Sequence, residues 1–251
     1  MLVNQSLSNF SDISFQTSFV VYSIALILSL VYYGKVQGIV QRRAAAKEAS
    51  ASRELVGVGA PVNPAASESN AIEAAHSEDR RVADDEAKAD KWGGMTQTVI
   101  WLGIVLHFTA IVLRGLATQR FPFGNLYEYV LVVTAITMVA ASIAIQRKEW
   151  RTLWPWLLVP ILVLMFYGGT KLYAESAPVV PALQSHWLPI HVSVVSTGAS
   201  IGIVSGIASL LHMLRIWQPK GKEHGFFGSV ARPLPSAMKL DQLAYRTAVI
   251  T

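Results

Sequence analysis

Five apolar runs decide what this chain can fold into. They lie near Phe19–Val40, Met95–Leu116, Leu126–Ile145, Leu153–Thr170 and Leu188–Trp217. A bilayer core is crossed by roughly 20 apolar residues rising 1.5 Å each, and four of the runs reach that length. In lipid, backbone amides and carbonyls must satisfy one another within the segment, so such runs become helices. The expected fold class is an all-α membrane protein, a bundle of about five transmembrane helices. Composition agrees, with 52% hydrophobic and 15% charged residues, against about 25% charged in soluble domains. The fourth run is shorter and contains Pro155 and Pro160, which predicts a kinked or tilted helix.

Basic residues set the orientation. Lys35, Arg42, Arg43 and Lys47 follow the first run, and Lys88 and Lys91 precede the second. Arg147, Lys148 and Arg151 join the third to the fourth, and Arg215, Lys220 and Lys222 follow the fifth. All four groups fall on one side, which the positive-inside rule makes cytoplasmic. The N-terminus is then outside, and the C-terminal tail is inside or starts a sixth helix. Residues 1–17 carry Asp12 and no Lys or Arg, so the basic start of a signal peptide is missing and the first helix is retained. The net charge of +5 reflects topology, and nucleic acid is not an expected partner.

The chain divides into an N-terminal transmembrane helix (1–40), a linker (41–94), a four-helix membrane core (95–217) and a tail (218–251). The linker is rich in Ala, Ser, Glu, Asp, Lys and Arg and reads as disordered or loosely helical, with His76 solvated. The tail ends in "LDQLAYRTAVIT". There Asp241 is expected to cap a helix, either a short interfacial one or the start of a sixth span.

The chain has no cysteine, so disulfides, thiol exchange and covalent haem attachment through its own C-x-x-C-H are excluded. Histidines are the remaining candidates for chemistry. His107 lies near the middle of the second run, where an ionisable group is costly. It reads either as a metal ligand or proton relay, or as a histidine satisfied by a neighbouring helix. Arg114 follows two turns later on the same face. It either pairs with an acidic group of a bound ligand or snorkels to the outer headgroups.

In "SHWLPIHVS", Pro189 suits a first helical turn and His191 falls about one turn inside. Gly198, Gly202 and Gly206 form a smooth strip suited to close helix packing. His191, seven residues before Gly198, shares that face and is expected to point into the bundle or a cleft. Alone it reads as an interfacial histidine or as a ligand. His186 reads as solvated and His212 as snorkelling. In "QRFPFGNLYEY", Asn125 is expected to cap the third helix, with Glu128 in its first turn.

"RFPFGNLYEY", "LQSHWLPIHVSVVSTG" and "LDQLAYRT" together resemble the CcsA/ResC type of cytochrome c maturation membrane protein, of system II. The resemblance covers most of residues 95–251. It implies handling of haem b, bound without a covalent link, and its presentation outside for attachment to apocytochrome c. It implies one histidine pair within the membrane and one outside, flanking a tryptophan-rich segment. His107 matches the first membrane histidine and His191 the first external one, each an axial ligand of haem iron. Arg114 is a candidate for the cofactor's acidic group. The segment W-G-x-x-W-x-W-D and the second histidine of each pair do not occur in this chain, which reads as an N-terminal portion of such a protein.

The implied partners are a ResB-type membrane subunit, completing a haem lyase, together with apocytochrome c, thiol-reducing pathway proteins and the lipid bilayer. The implied location is the bacterial cytoplasmic membrane. The alternative is a non-catalytic membrane subunit of a respiratory complex. A transporter ranks last, because no internal repeat is visible.

Overall fold

The apolar runs all fold as helices. The computed structural model describes residues 3–56, 64–177 and 187–250. Its elements are α1 (Gln5–Val56), α2 (Pro64–Thr118), α3 (Leu126–Ala144), a 3-10 turn (Lys148–Leu153), α4 (Trp154–Lys171), α5 (Trp187–Trp217), α6 (Gly225–Ala231) and α7 (Ala237–Ile250). Among the described residues there is no strand. Five of the helical segments are long and apolar enough to cross a membrane.

α1 and α2 form an antiparallel hairpin, α4 lies against α1, and α3 packs on α2, α4 and α5. α5 is held by α3 and α7. The shared core includes Tyr22, Ile100, Ile104, Leu131, Met138, Leu158 and Met165. The hairpin closes tightly at Gly103, where a β-carbon would come within 2.5 Å of the Tyr22 ring. α3 and α4 meet closely at Gly168, where a β-carbon would lie 2.8 Å from Val130. Pro155 occupies the first turn of α4, while Pro160 sits inside a helix that remains continuous.

The basic groups do collect at one end. Arg42 pairs with Asp85 and Arg43 with Glu86, both between α1 and α2. Lys148 Nζ lies 2.5 Å from Asp90, and Lys239 pairs with Glu149. Buried Tyr32, Ile39 and Ala89 form a small apolar seam beneath, flanked by Val36, Val82 and Trp92. The seam is the stronger tie, since each exposed ion pair contributes at most about 1 kcal/mol.

The stretch expected as a linker is thus helical on both sides of residues 57–63, which lie outside the described residues. Alanine, glutamate, lysine and arginine are strong helix formers, and the seam gives the extended helices a buried face. The side chains of His76 and His186 also lie outside the described residues.

Two expectations about α5 and α7 need correction. The buried face of α5 carries Ser196, Ser200, Val204, Ala208, Leu211 and Arg215. Each glycine of the strip lies two residues beyond a member of this ridge, roughly 160° around the helix. Gly206 is exposed, with open space where a β-carbon would stand. The ridge faces α3, where Ser200 Oγ donates to the Val133 carbonyl at 3.0 Å. Small side chains on this ridge allow close approach as glycine does. Asp241 lies within α7 rather than capping it, because the helix already starts at Ala237. α7 packs along α5, and Ser205 Oγ donates to the Ala244 carbonyl at 2.9 Å.

Candidate functional site

Two polar features stand out in the apolar bundle. The first lies at the end opposite the basic groups. Arg114 is fully buried near the end of α2. Its Nε donates to Glu128 Oε1 at 3.2 Å, and Nη1 donates to Asp12 Oδ1 at 3.3 Å and Ser8 Oγ at 3.4 Å. Nη2 donates to the Ala174 carbonyl. The guanidinium also lies over the Tyr127 ring, with Cζ 5.1 Å from its centroid. Arg114 therefore does not snorkel to the surface. α1, α3 and the segment after α4 all converge on it.

Glu128 is equally buried and serves two cations. Arg120 Nη1 donates to Glu128 Oε2 at 2.8 Å, and the Gly124 amide donates to the same oxygen at 2.7 Å. Asn125 caps α3 as expected, accepting from the Glu128 amide at 2.8 Å. Asp12 completes the cluster, accepting from the Tyr173 hydroxyl at 2.7 Å and the Tyr127 hydroxyl at 3.3 Å. Two arginines and two carboxylates balance one another. Such balance is required, because an unpaired charge in this setting costs several kcal/mol. It also leaves Arg114 without spare charge for a ligand. Tyr173 sits just beyond α4, and its bond to Asp12 raises the hydroxyl pKa above the ordinary tyrosine value, aided by partial burial and the Asp12 charge.

The second feature is His107, one helix turn pair below Arg114. Its ring is fully buried, and neither nitrogen makes a hydrogen bond of normal geometry. The Leu131 backbone of α3 lies beside the ring as a hydrogen-bonding neighbour of non-ideal geometry. Phe15 meets the imidazole edge-on at 5.6 Å between centroids, and Tyr22 lies at 6.0 Å. The Tyr22 hydroxyl is buried and unpartnered as well.

A buried imidazole has the donor chemistry that haem iron requires. A second axial histidine beside it is not found among the described residues. His191 is exposed in the first turn of α5, on the face away from the buried ridge. The structure does not bring His107, Arg114 and His191 into one site. His212 is half-buried and its Nδ1 lies 2.9 Å from the Ala237 carbonyl, which ties α5 to the start of α7.

Sequence reading missed Asp12, Glu128, Tyr22 and Tyr173 as participants. Glu128 carried a signal, as an acid in an apolar register beside Arg114 and Arg120. The others are brought in by long-range packing and carried none.

Known proteins align with part of this chain. Cytochrome c biogenesis protein CcsA of Parasynechococcus marenigrum (strain WH8102) is 29% identical over 130 residues, covering 48% of this chain and 41% of that protein. The CcsA of Guillardia theta is 28% identical over 151 residues, covering 53% and 50%. The CcsA of Synechococcus sp. (strain CC9902) is 25% identical over 189 residues, covering 64% and 60%. The chain thus spans about half the length of the curated relatives it matches. No solved structure matches. The family described as Cytochrome C assembly protein matches residues 122–251, just over half of the chain, and this multi-pass membrane protein belongs to that family.

Proposed function

We propose that this protein handles haem for covalent attachment to apocytochrome c during cytochrome c maturation. The observation that carries the reading is His107. A fully buried imidazole with neither nitrogen in a hydrogen bond of normal geometry, in a chain whose residues 122–251 match the cytochrome c assembly family, supports that reading. A neutral ring is also the least costly such donor at this depth.

In this reading His107 binds haem b iron within the membrane, and His191 serves as a ligand on the outer side. Each has its second axial histidine elsewhere. When bound, haem supplies the vinyl groups that join the acceptor thiols. Phe15 and Tyr22 hold the His107 ring from two sides and exclude water. Arg114 acts through structure rather than ligation, holding α1, α3 and the segment after α4 together. The working setting is the bacterial cytoplasmic membrane and the system II pathway. The partners are a ResB-type membrane subunit, apocytochrome c and thiol-reducing proteins. Membership of the assembly family disfavours the alternative of a respiratory-complex subunit.

The test is haem content. The full chain and its His107→Ala and His191→Ala variants are purified from haem-replete membranes and assayed as pyridine haemochrome. Each substitution is expected to lower haem per protein and shift the visible spectrum. Unchanged content and spectra in both variants overturn the ligand assignments.

A further inference from the structure

The basic end of the bundle holds a groove that the haem reading does not use. It has a volume of about 800 Å³ and runs between α3, α5 and α7. Its lining includes buried Val204, half-buried Ile201 and Leu243 and exposed Ile143, together with Arg147, Lys239 and Arg246. Glu149 is the acidic residue of that lining, and it is already paired with Lys239. Arg147 and Arg246 are exposed and hold no ion pair among the described residues. The positive field extends to neighbouring Lys220, whose pKa is lowered by burial and by Arg215 and Lys239. Here an apolar trough meets two exposed arginines that make no ion-pair contact among the described residues, at one end of a membrane bundle. That pattern is complementary to one kind of molecule, with an apolar tail and an anionic head.

We propose that this groove is a site for an anionic phospholipid of the leaflet at the basic end. The phosphate head lies against Arg147 and Arg246, and an acyl chain lies along Ile143, Ile201 and Leu243. Cytoplasmic leaflets are anionic, and each arginine near such a surface contributes roughly 1 kcal/mol, a factor of about five in occupancy. Guanidinium forks also suit a phosphate better than lysine would.

The test uses the full chain in neutral detergent with added dioleoyl phosphatidylglycerol or dioleoyl phosphatidylcholine. Retained lipid per protein is counted by native mass spectrometry. The wild type is expected to retain phosphatidylglycerol preferentially. Arg147→Gln and Arg246→Gln are each expected to lose about fivefold of that retention. A Lys171→Gln control, at the far end of α4 from the groove, is expected to keep it. Equal retention of the two lipids, or an equal loss in the control, overturns the site. A third arm adds haemin, an apolar dicarboxylate. If the arginine variants lose haemin binding and keep phosphatidylglycerol, the groove serves that ligand and the lipid assignment falls. Should the variants fail to fold, the wild type still decides. Trp150 lines the groove, so brominated phosphatidylglycerol must quench a fluorescence component that Trp150→Phe removes, and brominated phosphatidylcholine must quench it less. Equal quenching refutes the proposal.

Discussion

The cluster around Arg114 and the pocket around His107 lie on the same face of α2, two turns apart, and they solve opposite problems. At Arg114 the groups are charged, and each cation has a carboxylate. At His107 the groups are neutral, and neither the imidazole nor the Tyr22 hydroxyl makes a hydrogen bond of normal geometry. The difference teaches how to separate structure from function in a membrane bundle. A buried charge must be balanced for the bundle to assemble, so its complete pairing says little about ligands. A neutral polar group is tolerated unpaired at a cost of a few kcal/mol, so its isolation points to something that completes it.

Substitutions can break or sharpen that comparison. The largest effect is expected from Glu128→Ala, which strips the shared carboxylate from Arg114 and Arg120. Breaking a buried pair in this way costs about 3–5 kcal/mol, measured by reversible unfolding in mixed micelles. A loss below about 1 kcal/mol would mean that the cluster behaves as a wet surface pair. Gly103→Val forces the Tyr22 ring off α2 and is expected to cost roughly 1–3 kcal/mol by overpacking. The same variant should also lower haem content if Tyr22 confines the His107 ring. Asn125→Ala removes the α3 cap and is expected to cost about 1 kcal/mol, with little change in haem.

The smallest stability effect is expected from His107→Leu. No hydrogen bond is lost, and an apolar side chain of similar volume suits the site, so unfolding should be nearly unchanged or slightly harder. A destabilisation above roughly 1.5 kcal/mol, the usual limit for volume-conserving swaps, would show that the ring is held by a structural partner. The contrast would then collapse.

The spans and the gathering of basic groups at one end were legible in the sequence, because both follow from one-dimensional periodicity and charge. So was the Asn125 cap, which is local. His107 stood out by its depth alone. The direction of α5 was not legible. Two small-residue stripes run along that helix, glycines on one side and Ser196, Ser200 and Ala208 on the other. Only the neighbouring α3 decides which is buried. Asp12 was visible merely as a charge near the N-terminus. Its pairing with Arg114, 102 residues away, is a property of the folded hairpin. The stretch at 41–94 looked unable to bury a core alone, and its Ala89 is buried only against Tyr32 and Ile39 of α1.

That hairpin has a mechanical consequence. The span-bearing part of α1, Gln5–Glu48, comprises 44 residues and is about 66 Å long at 1.5 Å per residue. The hydrocarbon layer takes up roughly 30 Å of that. The remainder is divided between the two ends, and the part at the basic end, braced by α2 through Tyr32, Ile39 and Ala89, is a stiff lever whose fulcrum lies in the bilayer. A tilt of about 5° at the membrane moves a point about 20 Å along such a lever by roughly 2 Å. Whatever engages the basic tip is thereby geared to the packing of α1 against α2, where Phe15 and Tyr22 enclose His107.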